Sequence, residues 1–156
     1  MALIHEHLYK SEELDKIPLN QYLIAVSNGI TRTFGSQNIT TVFNCELVDA
    51  KIEMAMPLGL IVNEILTNAC KYAFPDERQG EIFIDLKKDD TSPGYYRLTI
   101  QDNGIGLPDG FSIEDQTSMG LFIIKLLADQ ISARLIIENH KGTSYSIVFK
   151  GIGPEH

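Results

Sequence analysis

The sequence predicts an α+β fold, a two-layer sandwich in which a mixed, mostly antiparallel sheet carries its helices on one face. Three observations point to it. Apolar residues recur at helical spacing in three separate segments, and short β-rich runs arrive in pairs joined by turns. The chain has 156 residues, 44% hydrophobic and 22% charged, which suits one compact domain with its own core.

Residues 2–9 (ALIHEHLY) have a helical pattern but are too few for an independent helix, so they read as the tail of a longer one. The polar stretch KSEELDKIP follows as a connector ending at Pro18, which divides residues 1–17 from a domain spanning 18–156. Leu19, Tyr22, Leu23, Val26, Ile30 and Phe34 mark the first full helix, with Gly35 as its stop. Residues 40–47 and 51–56 are expected as strands, and Pro57 as a first-turn residue of a helix running to about Ala73. That helix should stop at Phe74-Pro75. Strands are expected over 81–87 and 95–101, and then a loop over 104–117 punctuated by Gly and Pro. A strongly apolar helix over 119–131 and two closing strands over 134–138 and 144–149 complete the chain. The 104–117 loop is long for so compact a domain, as lids and binding loops are.

The formal net charge of −8 argues against a general nucleic-acid binder, which needs a basic face. A nucleotide ligand remains compatible, because one lysine and a metal ion suffice to neutralise phosphates locally. Cys45 and Cys70 fall in different expected elements without metal-ligand spacing and read as reduced thiols. No apolar run reaches the roughly 20 residues that span a bilayer. No signal sequence opens the chain. The domain is therefore expected to be cytoplasmic and without membrane contact, whether its parent is soluble or membrane-anchored.

Three segments carry chemistry. In NEILTNACKYAF, Glu64, Asn68 and Lys71 follow at i, i+4 and i+7, within an arc of about 60° on an ideal helix. A carboxylate, a carboxamide oxygen and an ammonium in a row are the groups that position a magnesium-bound triphosphate. An ordinary solvated helix face would also look like this. In QDNGIGLP, a strand ends at Asp102 and the chain turns through Gly104 and Gly106. A strand-end carboxylate can accept from an exocyclic amine such as that of adenine, Ile105 can pack on a ring face, and glycines allow close backbone approach. A plain Asp-Asn-Gly turn is the competing reading. In TSMGLFIIKLL, a helix begins abruptly after the loop with Thr117 or Ser118 as cap, and its free N–H groups beside Gly120 suit an anion. Neither GxGxxG nor GxxxxGK[ST] occurs, so dinucleotide-fold and P-loop readings fail.

Together, in this order, the segments resemble the ATPase family shared by histidine kinases, gyrase, MutL and the large heat-shock chaperones. NEILTNACKY resembles its N box, QDNGIGLP its first glycine box and TSMGL its second. HKGTSYSIVFK resembles the closing strand segment. The resemblance covers about Leu58 to Lys150 and implies the Bergerat-type sandwich. It is most similar to sensor histidine kinases with a short lid, since ALIHEHLYKSEEL is similar to the end of their second dimerisation helix.

The resemblance implies that Asp102 binds the adenine amine with help from Thr143, and that Gly104, Ile105 and Gly106 line the base. Asn68 would hold Mg2+, and Lys71 and Tyr72 would face the phosphates of ATP. Ser118, Met119, Gly120 and Leu121 would cover them. Glu64 would be the catalytic residue polarising the attacking group. The γ-phosphoryl group would pass to a histidine in the dimerisation domain of the parent kinase, with a response regulator downstream. His5 and His7 are not read as that acceptor, and His140 reads as a surface residue. The acceptor helix would lie upstream, so the chain is expected to be a piece of a longer kinase acting in trans.

Two departures stand out. Ser118 replaces a glycine usual in the second glycine box, and Glu64 stands where many histidine kinases carry Asn. Glu64 keeps open an ATP-hydrolysing conformational switch, and the shared fold keeps open a serine kinase of the anti-sigma type or a binding module that has lost nucleotide.

Overall fold

The computed structural model describes residues 16–106, 119–139 and 141–153. The elements run β1 (Lys16–Pro18), α1 (Leu19–Phe34), β2 (Ile39–Cys45), β3 (Asp49–Lys51) and α2 (Ile52–Asn68). After these come β4 (Gly80–Lys88), β5 (Tyr95–Asp102), α3 (Met119–Gln130), β6 (Arg134–Asn139) and β7 (Thr143–Lys150). A five-stranded sheet has the order β2-β4-β5-β7-β6, and a small two-stranded sheet pairs β1 with β3. Every pair of the main sheet is antiparallel except β2 with β4.

Alternation builds the core. Ile82, Ile84 and Leu86 of β4, Leu98 and Ile100 of β5, and Ile147 and Phe149 of β7 are buried on one face. The register aligns them across the strands, with Leu86 opposite Leu98 and Leu98 opposite Ile147. Against this face pack α1, through Leu19, Leu23 and Ile30, and α2, through Leu58, Ile61, Val62, Ile65 and Leu66. From α3 come Leu121, Ile124 and Ala128. Helix α2 lies between α1 and α3. Each such aliphatic side chain contributes about 1.5–3 kcal/mol by leaving water. Buried Ser27 of α1 is satisfied locally, since its hydroxyl donates to the Leu23 carbonyl at 2.7 Å.

The region after β2 differs from the sequence expectation. Residues 51–56 are not a strand: β3 covers only Asp49–Lys51, and α2 begins at Ile52. Partly buried Ile52 and Met54 alternate with exposed Lys51 and Glu53, which imitates a strand. The helical stripe of Ala55, Leu58, Val62 and Leu66 outweighs that local alternation. Pro57 is consequently the sixth helical residue rather than a first-turn residue, and it removes one interior hydrogen bond. Strand β2 therefore has no hairpin partner after it. Its neighbour β4 is parallel, reached through a crossover that contains α2.

The helix ends where Phe74-Pro75 predicts, but not as a plain α-helix. After Asn68 the chain widens into a π-helical turn, Ala69–Ala73. The expected linker and dimerisation-helix tail over 1–17 lies almost wholly outside the described residues, as do His5, His7, His140, Thr117 and Ser118. Among the described residues no helix is long and apolar enough to cross a membrane. Cys45 and Cys70 are both free thiols.

Candidate nucleotide site

Asp102 is the last residue of β5 and is 7% exposed on the helix-covered face. Its Oδ1 accepts two backbone N–H groups, from Gly104 at 2.9 Å and from Thr143 at 3.3 Å. No hydrogen bond among the described residues falls on Oδ2. Burial raises the carboxyl above the ordinary carboxylate range, while the Gly104 and Thr143 N–H groups and the Arg78 charge pull the other way. The outcome is a fixed carboxylate with one oxygen held and one left to accept.

The turn after Asp102 is clamped on several sides. Asn103 exchanges two bonds with Glu81 of β4: its N–H donates to the Glu81 carbonyl at 3.2 Å, and its Oδ1 accepts the Glu81 N–H at 2.8 Å. Its carbonyl accepts from the Arg78 guanidinium at 2.9 Å. One residue past Gly104, the Ile105 N–H donates to the Ala73 carbonyl at 2.9 Å. Gly104 is buried against Ala73, and a Cβ there would run into the Ala73 carbonyl oxygen and the Ala73 Cβ. The glycine is thus required by close approach of the turn to the π-helical segment that follows α2. Gly106 follows at φ 78°, beside Asn139 of β6. Ile105 between them is 61% exposed, as a residue able to stack on a planar ligand must be.

Glu64 and Asn68 stand one helical turn apart near the end of α2, both partly exposed. Lys71 follows in the π-helical turn Ala69–Ala73, whose i→i+5 spacing differs from that of α2. Its ammonium lies 5.4 Å from the centre of the Phe34 ring at the end of α1. Tyr72 is exposed beside it. Single π-turns of this kind are frequent at functional sites.

Thr143, at the start of β7, is buried and reaches Asp102 through its backbone N–H. The residues at the start of α3 divide. Met119 is exposed and Gly120 half-buried, whereas Leu121 is buried in the core, so its side chain serves packing. Ser118 lies outside the described residues.

Sequence reasoning missed four contributors. Asn103 and Arg78 clamp the turn, and Ala73 receives it. Gly142, at φ 123°, lets the last turn run against the Asp102 carbonyl, where a Cβ would collide. An Asn after a strand-end Asp and a Gly before Thr143 were visible as turn residues, but nothing in the sequence told which groups they would meet.

Among the described residues no group of three or more His, Cys, Asp or Glu side chains comes together. An all-protein metal cage is not the chemistry of this donor set. Helix-borne oxygens such as those of Asn68 and Glu64 suit magnesium, which takes one or two protein oxygens and completes its shell with phosphate and water.

The sequence matches the family described as histidine kinase-, DNA gyrase B- and HSP90-like ATPases over residues 54–151. Blue-light-activated histidine kinase 2 of Erythrobacter litoralis is 31% identical over 119 residues, covering 76% of this chain and 34% of that protein. Sensor histidine kinase PdtaS of Mycobacterium tuberculosis is 28% identical over 138 residues, covering 86% of this chain and 26% of that protein. The chain thus spans about a third or less of these curated relatives. The solved histidine kinase domain of the blue-light-activated kinase from Erythrobacter litoralis EL346 superposes with a TM-score of 0.76 at 29% identity, covering 86% of this chain and 61% of that one. The mycobacterial sensor histidine kinase MprB, at 21% identity and a TM-score of 0.68, covers 88% of this chain and 98% of its own and shares the fold. The helix end, the glycine turn and the closing strand that build the site all lie within the matched span, and the chain belongs to the histidine kinase-, DNA gyrase B- and HSP90-like ATPase family.

Proposed function

We propose that this domain binds ATP with magnesium and presents the γ-phosphoryl group to a histidine side chain on another domain of its parent kinase. The observation that carries the reading is the buried Asp102 carboxylate, held through Oδ1 by Gly104 and Thr143 with Oδ2 left for a purine amine. The kinases named among its relatives support histidine as the acceptor.

Asp102 accepts the exocyclic amine of adenine, a group that the keto-bearing edge of guanine lacks. Ile105 packs on the ring, and Gly104 and Gly106 admit it. Asn68 supplies an oxygen ligand to the metal. Magnesium, when bound, neutralises phosphate charge and helps align the γ-phosphoryl group. Lys71 and Tyr72 face the phosphates, and Lys71 gives up its Phe34 contact to do so, at about 0.5–1 kcal/mol for an exposed pair. Ser118, Met119 and Gly120 cap the phosphates at the start of α3. Glu64, one turn before Asn68, polarises the attacking imidazole. A nitrogen–phosphorus bond forms as the bond from the γ-phosphorus to ADP breaks. Catalysis is then mainly alignment and charge neutralisation.

The test has two parts. Calorimetry with Mg-ADP and Mg-GDP should show selective binding of the adenine nucleotide. Incubation with Mg-ATP and the parent's helical dimerisation domain should give a phosphoprotein that is labile in acid and stable in base. Steady ATP hydrolysis with no such product would favour the ATP-driven switch, and an acid-stable product the serine kinase.

A further inference from the structure

Tyr145 lies on β7 opposite Ile100 of β5 and Ile137 of β6. Two residues earlier on the same strand, Thr143 donates its N–H to Asp102. Asp102, two residues beyond Ile100, shares the helix-covered face, so Tyr145 and Asp102 are diagonal neighbours on adjacent strands. Such pairs stand about 7–8 Å apart at the backbone, within reach of an aromatic side chain.

Tyr145 is 7% exposed, and among the described residues its hydroxyl makes no hydrogen bond. A buried phenol ordinarily finds a partner. Its strand partners Ile100 and Ile137 are apolar, so packing alone would be served equally well by phenylalanine. Burial and the Asp102 charge together push the phenol up to about 12. It therefore stays protonated and keeps its O–H to donate. Asp102 in turn has both of its backbone donors on Oδ1. Its other charged neighbour is Arg78, whose guanidinium is engaged by the Asn103 carbonyl.

We propose that Tyr145 is a positioning residue of the nucleotide pocket, whose hydroxyl supplies a third donor to the Asp102 carboxylate. No direct hydrogen bond joins the two groups, so the link runs to Oδ2 through one bound water. It keeps the carboxylate ionised and aimed at the amine of the base. This rests on the nucleotide-site reading for its purpose, but not for its existence.

The experiment is carbon-13 NMR titration of the Asp102 carboxyl in the unmodified protein and in Tyr145→Phe, with ADP affinity measured on both. Loss of a donor to a carboxylate raises its midpoint, and the shift expected is about one unit. ADP affinity should fall about three- to tenfold, the worth of one hydrogen bond. Site-specific 3,5-difluorotyrosine at position 145 keeps the ring and sharpens the O–H donor. It should move the midpoint down, which keeps the proposal testable even where Tyr145→Phe does not fold. Coincident midpoints across these proteins would overturn the link whatever the affinities. Separated midpoints in a protein that binds no ADP would instead uphold the link and reject the nucleotide reading.

Discussion

The Ile105 N–H donates to the Ala73 carbonyl at 2.9 Å, which ties the glycine turn after β5 directly to the π-turn that follows α2. The carboxylate that would read the base is thereby linked through backbone to the segment following the helix that would hold the metal. Gly104 makes the approach possible, since any side chain there meets Ala73 backbone.

Gly104→Ala should accordingly cost both stability and binding. Overpacking against backbone is worth about 1–3 kcal/mol. Urea unfolding should show a lower midpoint at unchanged slope. ADP affinity should fall as well, because relief of the clash moves Asp102 or Ala73.

The Asp102 carboxyl titrates above its ordinary range because burial dominates its two N–H bonds and the Arg78 charge. A raised folded value means that protonation favours the folded state. The stability this group adds is full below its unfolded value and is lost as pH rises through the folded one. Nucleotide binding has the opposite sign, because only the carboxylate is a pure acceptor. ADP affinity measured from pH 7 downward should fall at a pH above the usual aspartate range, while the nucleotide-free protein gains stability from this residue over the same interval. Asp102→Asn should remove both effects.

Asn68→Ala should weaken ADP binding in the presence of magnesium more than in its absence. A ligand oxygen to the metal matters only when the metal is there. Calorimetry with magnesium and with excess chelator separates the two, and equal losses would take Asn68 out of the metal site.

Lys71 lies over the Phe34 ring at 5.4 Å. Lys71→Ala should reduce ATP affinity more than adenosine affinity, because only ATP carries the charge it would meet. Phe34→Leu should change protein stability by about 0.5–1 kcal/mol, the worth of an exposed cation–π contact. Thermal unfolding and calorimetry on the two variants check each arm.

The parts of the site that were legible in the sequence are those whose chemistry is local. Asp102 at a strand end, followed by two glycines, declared itself through residue type and spacing, as did Glu64 and Asn68 on one helix face. Nothing in ACKYA announces that the helix widens at Ala69 into the π-turn that carries Lys71. The helix start was misplaced because Ile52 and Met54 alternate with polar neighbours, and Pro57 then looked like an opening residue. The parallel partner of β2 was hidden because strand β4 lies a whole helix further on. Asn103 and Gly142 are ordinary residues in a sequence; only the fold brings Glu81 and the Asp102 carbonyl to them.

Adenine recognition by this domain depends on Asp102 receiving a purine amine. Calorimetric titration of the protein with Mg-ADP, run beside Asp102→Asn, measures this most directly. Saturable one-to-one binding that weakens about 30- to 150-fold in the variant is the predicted result, corresponding to a buried hydrogen bond to a charged group of about 2–3 kcal/mol. Equal affinity in the two proteins would show that Asp102 does not receive the purine amine.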